Sequence, residues 1–486
     1  MKRTALVAAL LLMAACPDRS ISEVVPQQQG AVRKHIPVSA DIDILFVIDN
    51  SGSTGDKQKN FADNFPKFVA ALDAFPSGRP NLHIAVVDTT VDIGVQGFSG
   101  CPSPDPNDDG VFQNTPHGTC TAPNGKFLSD IKNSMTGVRT TNFTDPLEVE
   151  LPCIAQIGAN GCGFEAPLEA MRRALLPMGT PGARPENAGF IRDGAYLAVI
   201  FLTDEDDASV KDKTVFTLTD SQVGGRFDFR VQPLFAYKCD QPISATQGGT
   251  YTNCTPRTDS YLQDPNFYDQ FLSSVKDPAQ IVVAAIAAPP PGLKTNDVPT
   301  PQTAMPADSI STGQLILNGV TQPLALQPSC STTINGNPAI GRPAVRLGSF
   351  IKNFGDRGKF YTVCQGDYSA ALTDIGNTLF NAISPCLEGP VDSADADPKN
   401  PGTQLQCTVS EVLNAGTTKE VATAMPTCQM QDATTPATGT PQPCWWVRQN
   451  PASCPAPDTG YELNFVRSAA PAAGTTVEVE CAVTAK

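Results

Sequence analysis

Ile42-Asp43-Ile44-Leu45-Phe46-Val47-Ile48 runs directly into Asp49-Asn50-Ser51-Gly52-Ser53, and that junction decides the fold. The apolar run reads as a buried strand, so a carboxylate and two hydroxyls at alternate positions leave the strand end together. In an open α/β sheet, ligands bind in the crevice beyond the carboxyl ends of the strands. These three side chains offer only oxygen, which suits a hard divalent cation, Mg2+ first with Mn2+ or Ca2+ as alternatives, rather than zinc. Two of the three are neutral hydroxyls, so such an ion keeps much of its charge and favours an outside anion as a further ligand. The competing reading is a helix start, with Ser53 or Asp56 capping a helix whose apolar face carries Phe61, Phe65, Phe68 and Leu72.

A second apolar run, Tyr196 to Leu202, ends in Thr203-Asp204-Glu205-Asp206-Asp207. Together the two acidic strand ends resemble the von Willebrand factor A family, whose metal-ion-dependent adhesion site opens with Asp-x-Ser-x-Ser after the first strand and takes an aspartate from a later one. The resemblance covers roughly Asp41 to Pro385. It implies a doubly wound, mostly parallel α/β sheet of Rossmann-like layout, with Ser51 and Ser53 on the ion directly and Asp49 and Asp204 often acting through water. A threonine on an intervening loop normally completes that site. Here the matching region reads Gly161-Cys162-Gly163-Phe164-Glu165, without a threonine. Glu165 either replaces it or favours the N-terminus of a helix carrying Leu168, Met171 and Leu175. If Glu165 binds, its charge tightens the metal and weakens the demand for an anionic ligand.

Further strands read at Leu82 to Val87 and Ile281 to Ala287, and a late helix carries Leu372, Ile375, Leu379 and Ile383 on one face. Strand runs without polar alternation are those of parallel sheets covered on both faces. The intervening segments, about 94–161 and 224–277, are rich in Pro, Gly, Asn and Cys. Their length marks them as disulfide-stapled insertions rather than simple loops. Within the first, Asp105, Asn107 and Asp109 precede Gly110 in the opening pattern of a calcium loop. Pro116 stands where such a loop needs its bidentate glutamate, so a polar turn is the better reading. Beyond Cys386 a polar stretch, Asp392 to Gly402, gives way to short alternating segments dense with cysteine, which read as a small β-rich module over 386–486. Its Trp445 and Trp446 are either core or a stacking platform, and core is favoured.

At the other end, Lys2 and Arg3 precede an apolar run from Ala5 to Ala15, too short to span a bilayer, followed by Cys16. By resemblance to bacterial lipoproteins, residues 1–15 are a signal and Cys16 carries the lipid, with 16–40 a flexible tether. Of fifteen cysteines, setting Cys16 aside leaves an even number for an oxidising compartment. Spacing suggests Cys101 with Cys120, Cys153 with Cys162, Cys239 with Cys254 and Cys330 with Cys364. The formal net charge of −15 argues against nucleic acid as a partner. Only His35, His83 and His117 occur, widely spaced, which argues against a His-based zinc site or a Ser-His-Asp triad.

The expectation is therefore a lipid-anchored cell-envelope protein, in the outer membrane of a Gram-negative bacterium and facing periplasm or surface. It would bind a carboxylate presented by a protein partner, without making or breaking bonds. The competing classes are a structural protein whose ion holds loops together, and a metal-dependent hydrolase using Glu205, Asp206 or Glu165 as base.

Overall fold

The computed structural model describes residues 31–37 and 41–483, apart from 76–77, 96–97, 99, 103–107, 134–135, 290–308, 318–319, 335, 414–419, 452–453, 455–458 and 469–474. Strand Ala31–Pro37 (β1) is followed by Asp41–Ile48 (β2), helix Gly55–Asp73 (α1) and Asn81–Asp88 (β3). Next come Leu128–Lys132 (β4), Arg139–Thr141 (β5), helices Leu147–Ala155 (α2) and Pro167–Ala174 (α3), and Tyr196–Leu202 (β6). Helix Pro265–Val275 (α4), Ile281–Ala287 (β7) and the hairpin Cys330–Ile334 (β8) and Asn337–Gly341 (β9) follow. Helix Val345–Lys352 (α5), Gly358–Thr362 (β10) and helix Ser369–Ile383 (α6) complete this part of the chain.

Seven strands make one sheet in the order β10-β7-β6-β2-β3-β4-β5. The pairings from β10 across to β3 are parallel, and β4 and β5 are antiparallel additions at one edge. Successive side chains of a strand point to opposite faces, and in β2 both faces are apolar. Ile44, Phe46 and Ile48 join a core with α1, α2 and α6, while Leu45 and Val47 join a second core with α3, α4 and α5. On the first face Phe46 meets Phe61, Phe65 and Phe68 of α1 edge-on at 5.2–5.7 Å between centroids. The chain is thus a mixed α/β protein with a seven-stranded, mostly parallel sheet between two helical layers.

Both expected insertions are more integrated than their composition suggests. From 94–161, β4 and β5 extend the sheet beyond β3, and α2 packs on α1. From 224–277, α4 covers the second face with Tyr268 and Leu272 fully buried. A further elaboration, unmarked in the sequence, supplies β8 and β9 together with Ser309–Leu317, which pairs with Val320–Leu326 and Gly249–Thr252. The disulfides Cys239–Cys254 and Cys330–Cys364 match the spacing. The first two pairs do not, because Cys101 joins Cys162 and Cys120 joins Cys153. The physical reason is nesting. The chain returns to Gly163, whose N–H meets the Gly100 carbonyl at 2.9 Å, only after the inner segment has closed on α2.

The carboxyl-terminal strands are Cys407–Leu413 (β11), Val421–Met425 (β12), Cys444–Gln449 (β13), Tyr461–Val466 (β14) and Thr475–Ala482 (β15). They are stapled by Cys386–Cys454, Cys407–Cys481 and Cys428–Cys444. Trp445 is core, 3 % exposed, with Nε1 donating to the Met425 carbonyl at 2.9 Å. The four-stranded sheet runs β1-β15-β11-β12, and β1 pairs antiparallel with β15 from Ala31↔Ala482 to Pro37↔Thr476. Part of the expected flexible tether is therefore strand. An unpaired β15 edge needs backbone partners, which the glutamine and proline content of the tether did not reveal. The signal 1–15 and Cys16 lie outside the described residues. No helix among the described residues is long and apolar enough to cross a membrane.

Candidate metal site and its crevice

The Asp49 N–H donates to the Leu202 carbonyl at 2.9 Å, so β2 and β6 stay zipped to their ends and deliver Asp49 and Asp204 side by side. Asp49 accepts from the Ser51 N–H at 2.8 Å and from the Thr203 hydroxyl at 2.9 Å. The Ser51 and Ser53 hydroxyls lie 3.3 Å apart, and Ser53 Oγ donates to Asp204 Oδ1 at 3.0 Å. Thr54 Oγ1 braces the loop on the carbonyls of Asp49 and Ser51, both at 2.9 Å, and Gln58 Nε2 donates to the Asp49 carbonyl at 2.7 Å. The structure thus brings Asp49, Ser51, Ser53 and Asp204 together. Helix α1 starts after Thr54 without a side-chain cap, so neither serine is taken up as an N-cap. Gly161 is required here, since a Cβ on it would lie 2.2 Å from the Asn50 side chain.

Glu165 precedes α3 and is 1 % exposed, with Oε2 lacking any hydrogen-bond partner. Burial, then the Asp49 and Asp204 carboxylates, hold its pKa well above the usual range, with Arg342 opposing. The helix-terminus role belongs to other groups. Asp207 Oδ1 accepts from Leu168 N at 3.1 Å, and Ser209 Oγ accepts from Glu169 N at 3.0 Å. Asp49 is likewise pushed upward by burial and then by Asp204. Negative charge is therefore disfavoured at this point until a cation offsets it.

Two cations that sequence reasoning missed adjoin it. Lys57 Nζ lies 2.9 Å from Asp204 Oδ2 and donates to the Ser53 carbonyl at 2.8 Å. Arg342, on the turn after β9, pairs with Glu205, and its N–H donates to the Asp204 carbonyl at 2.8 Å. The spacing of Lys57 from Ser53, one helical turn, was a readable signal. For Arg342 the sequence held none. These groups line a cavity of about 640 Å3, walled in part by Phe229, which has the guanidiniums of Arg226 and Arg342 at 5.0 and 4.9 Å from its ring. Arg226 in turn pairs with Asp228. Lys57 thus faces Asp204 and Asp56, Arg342 pairs with Glu205 and Arg226 with Asp228, while Asp49 and Glu165 have no ion pair among the described residues. Together they carry two negative charges when ionised.

The other acids have structural duties. Asp206 accepts from the N–H groups of Arg346 and Leu347 at the start of α5 and from the Tyr237 hydroxyl at 3.0 Å, and burial pushes it up to about 6 against Arg346. Asp207 pairs with the buried Arg346 at 3.0 Å. The calcium-loop pattern gains no support. Asp109 is held by Arg173 and Arg184, whose guanidiniums occupy its carboxylate, and Asp105 and Asn107 lie outside the described residues. Among the described residues, no three His, Cys, Asp or Glu side chains gather closely enough to hold a metal by themselves. An ion between Asp49 and Asp204 would depend on the serine hydroxyls.

No family model and no curated protein matches the chain. Among solved structures it is similar to the pilus adhesin SpaC from Lactobacillus rhamnosus GG in its open conformation, at 10 % identity over 93 % of this chain and 40 % of that one, with a TM-score of 0.29. It is also similar to the pilus adhesin RrgA from Streptococcus pneumoniae, at 10 % identity over 93 % of this chain and 57 % of that one, with a TM-score of 0.21. The chain thus spans about half the length of these adhesins, and likenesses this weak carry no functional argument.

Proposed function

We propose that the chain is a cell-envelope binding protein whose α/β part is von Willebrand factor A-like and engages a protein partner through a divalent cation, Mg2+ in the first instance. The observation that carries this reading is the convergence of Asp49, Ser51, Ser53 and Asp204 at adjacent strand ends beside Glu165, whose Oε2 has no hydrogen-bond partner. A hard cation fits oxygen donors of this kind, and it would offset the charge of Asp49 and Glu165, whose ionisation burial disfavours. When bound, it would supply an open position for a carboxylate oxygen of the partner. Asp49, Ser51, Ser53 and Asp204 would hold it, Asp204 also orienting Ser53, and the brace of Thr54 and Gln58 would keep the loop rigid without it. The reading includes attachment through lipid at Cys16 and a separate role for the carboxyl-terminal module.

Binding rather than hydrolysis is favoured because two of the three acids offered as bases are otherwise engaged, Glu205 by Arg342 and Asp206 by the start of α5, and the third, Glu165, would serve the ion. The test is a pull-down from envelope extracts with and without chelator, repeated with Ser51→Ala. Capture lost in both, and weakened when one partner acid is neutralised, supports metal-dependent adhesion. Capture that survives both in folded protein overturns it.

A further inference from the structure

Lys57 is the cation of the crevice that sits directly on the oxygens of the proposed metal site. Its side chain is 3 % exposed, in the first turn of α1. Its ammonium touches the oxygens of Asp204 and the Ser53 carbonyl at 2.9 and 2.8 Å, with Asp56 Oδ1 at 3.6 Å. An ammonium is a compact, strongly hydrated point charge with three donors. This one sits among the same oxygens that would serve a metal, so in chemical terms it is a monovalent cation on a tether. Burial disfavours its charge, but Asp204 and then Asp56 outweigh that and hold its pKa above the ordinary lysine value.

Resting on the proposed metal site, we infer that Lys57 is a tethered cation that competes with the divalent ion for Asp204. With no ion bound, its ammonium holds Asp204 and the Ser53 loop in place. Two cations at contact distance from one buried carboxylate repel each other strongly, so taking up an ion requires the ammonium to leave. Asp56 is the position to which it moves, being within 3.6 Å, less buried than Asp204 and on the same helical turn. The crevice therefore has two states, one closed by Lys57 and one loaded. Lys57 sets the ion concentration at which the second takes over. The same residue explains how a site with uncompensated acids stays ordered before an ion arrives.

The test is a Mn2+ titration of the full chain by calorimetry, with Mn2+ itself as the probe. Lys57→Met should bind at least about tenfold more tightly than the parent, melt lower in chelator, and recover with Mn2+. In an Asp204→Asn background the same substitution should bring no gain, because the shared carboxylate is gone. Should Lys57→Met fold poorly by near-UV circular dichroism, Lys57→Gln, which keeps a donor for the Ser53 carbonyl, takes its place. Parent-like or weaker Mn2+ affinity in the Lys57 variant, with parent binding that Asp49→Ala abolishes, overturns the competition and leaves the metal site standing. Absence of any Asp49-dependent Mn2+ uptake in both proteins removes the metal site and the competition with it.

Discussion

Glu165→Gln should improve the protein and impair its site at the same time. Glu165 is 1 % exposed, its Oε2 has no partner, and Asp49 and Asp204 both oppose its ionisation. At neutral pH this carboxyl must either stay charged without a partner, at a cost of about 1–3 kcal/mol, or take up a proton against its unfolded-state pKa, and Gln keeps the shape while avoiding both. In chelator at neutral pH the variant should therefore be more stable by about 1–3 kcal/mol. At about 2–4 °C per kcal/mol for large domains, the melting temperature rises by several degrees. With metal the variant loses about 2.3 kcal/mol of that lead. At an ion concentration 100 times Kd the parent gains about 2.7 kcal/mol by linkage, and a variant bound a hundredfold more weakly gains only about 0.4 kcal/mol. Differential scanning calorimetry in chelator and in saturating Mg2+ reads both effects. A variant less stable than the parent in chelator, with an undiminished metal-induced shift, would refute the reasoning and make Glu165 an ordinary structural residue.

Asp49→Ala should abolish the metal-induced melting shift, and a shift equal to the parent's would place the ion elsewhere. Burial raises Asp43 and Asp206 from 3.8 to about 6, against Arg192 and Arg346 respectively. The native chain then binds more protons than the unfolded chain between those values, so these groups cause stability to fall as pH rises through about 4 to 6. Urea midpoints in chelator should show that fall, and Asp206→Asn should flatten it. An unchanged slope would mean that Asp206 does not titrate there. Phe46→Ala removes a ring packed against three others and should cost about 3–5 kcal/mol, and a loss under 1 kcal/mol by urea melting would mean that the face repacks.

The sheet and the two acidic strand ends were legible because β6 and β7 are short unbroken apolar runs and β2 is apolar from Ile44 onward, a pattern that parallel strands buried on both faces require. Asp49, Ser51, Ser53 and Asp204 follow from that pattern directly. What escaped depends on contacts between distant segments. Arg342 reaches the crevice only because β8 and β9 fold over the sheet's carboxyl end, and no local periodicity announces it. Cys101 and Cys120 are near in sequence, but the nested path of the chain separates them. β1 was hidden for a related reason, since its hydrogen-bonding partner lies at the far end of the chain, in β15.

That pairing sets how the chain would bear tension. Three residues, 38–40, separate β1 from β2, whose end carries Asp49. Were the chain held at its amino end and pulled through the crevice, the load would run lengthwise along β1. An antiparallel strand drawn along its own axis resists in shear, with its ladder of hydrogen bonds sharing the force instead of opening one at a time. β15 is backed by the Cys407–Cys481 bond to β11, which keeps the partner strand from peeling away. The carboxyl-terminal module would then act as a mechanical clamp, gripping the polypeptide between its point of attachment and the crevice.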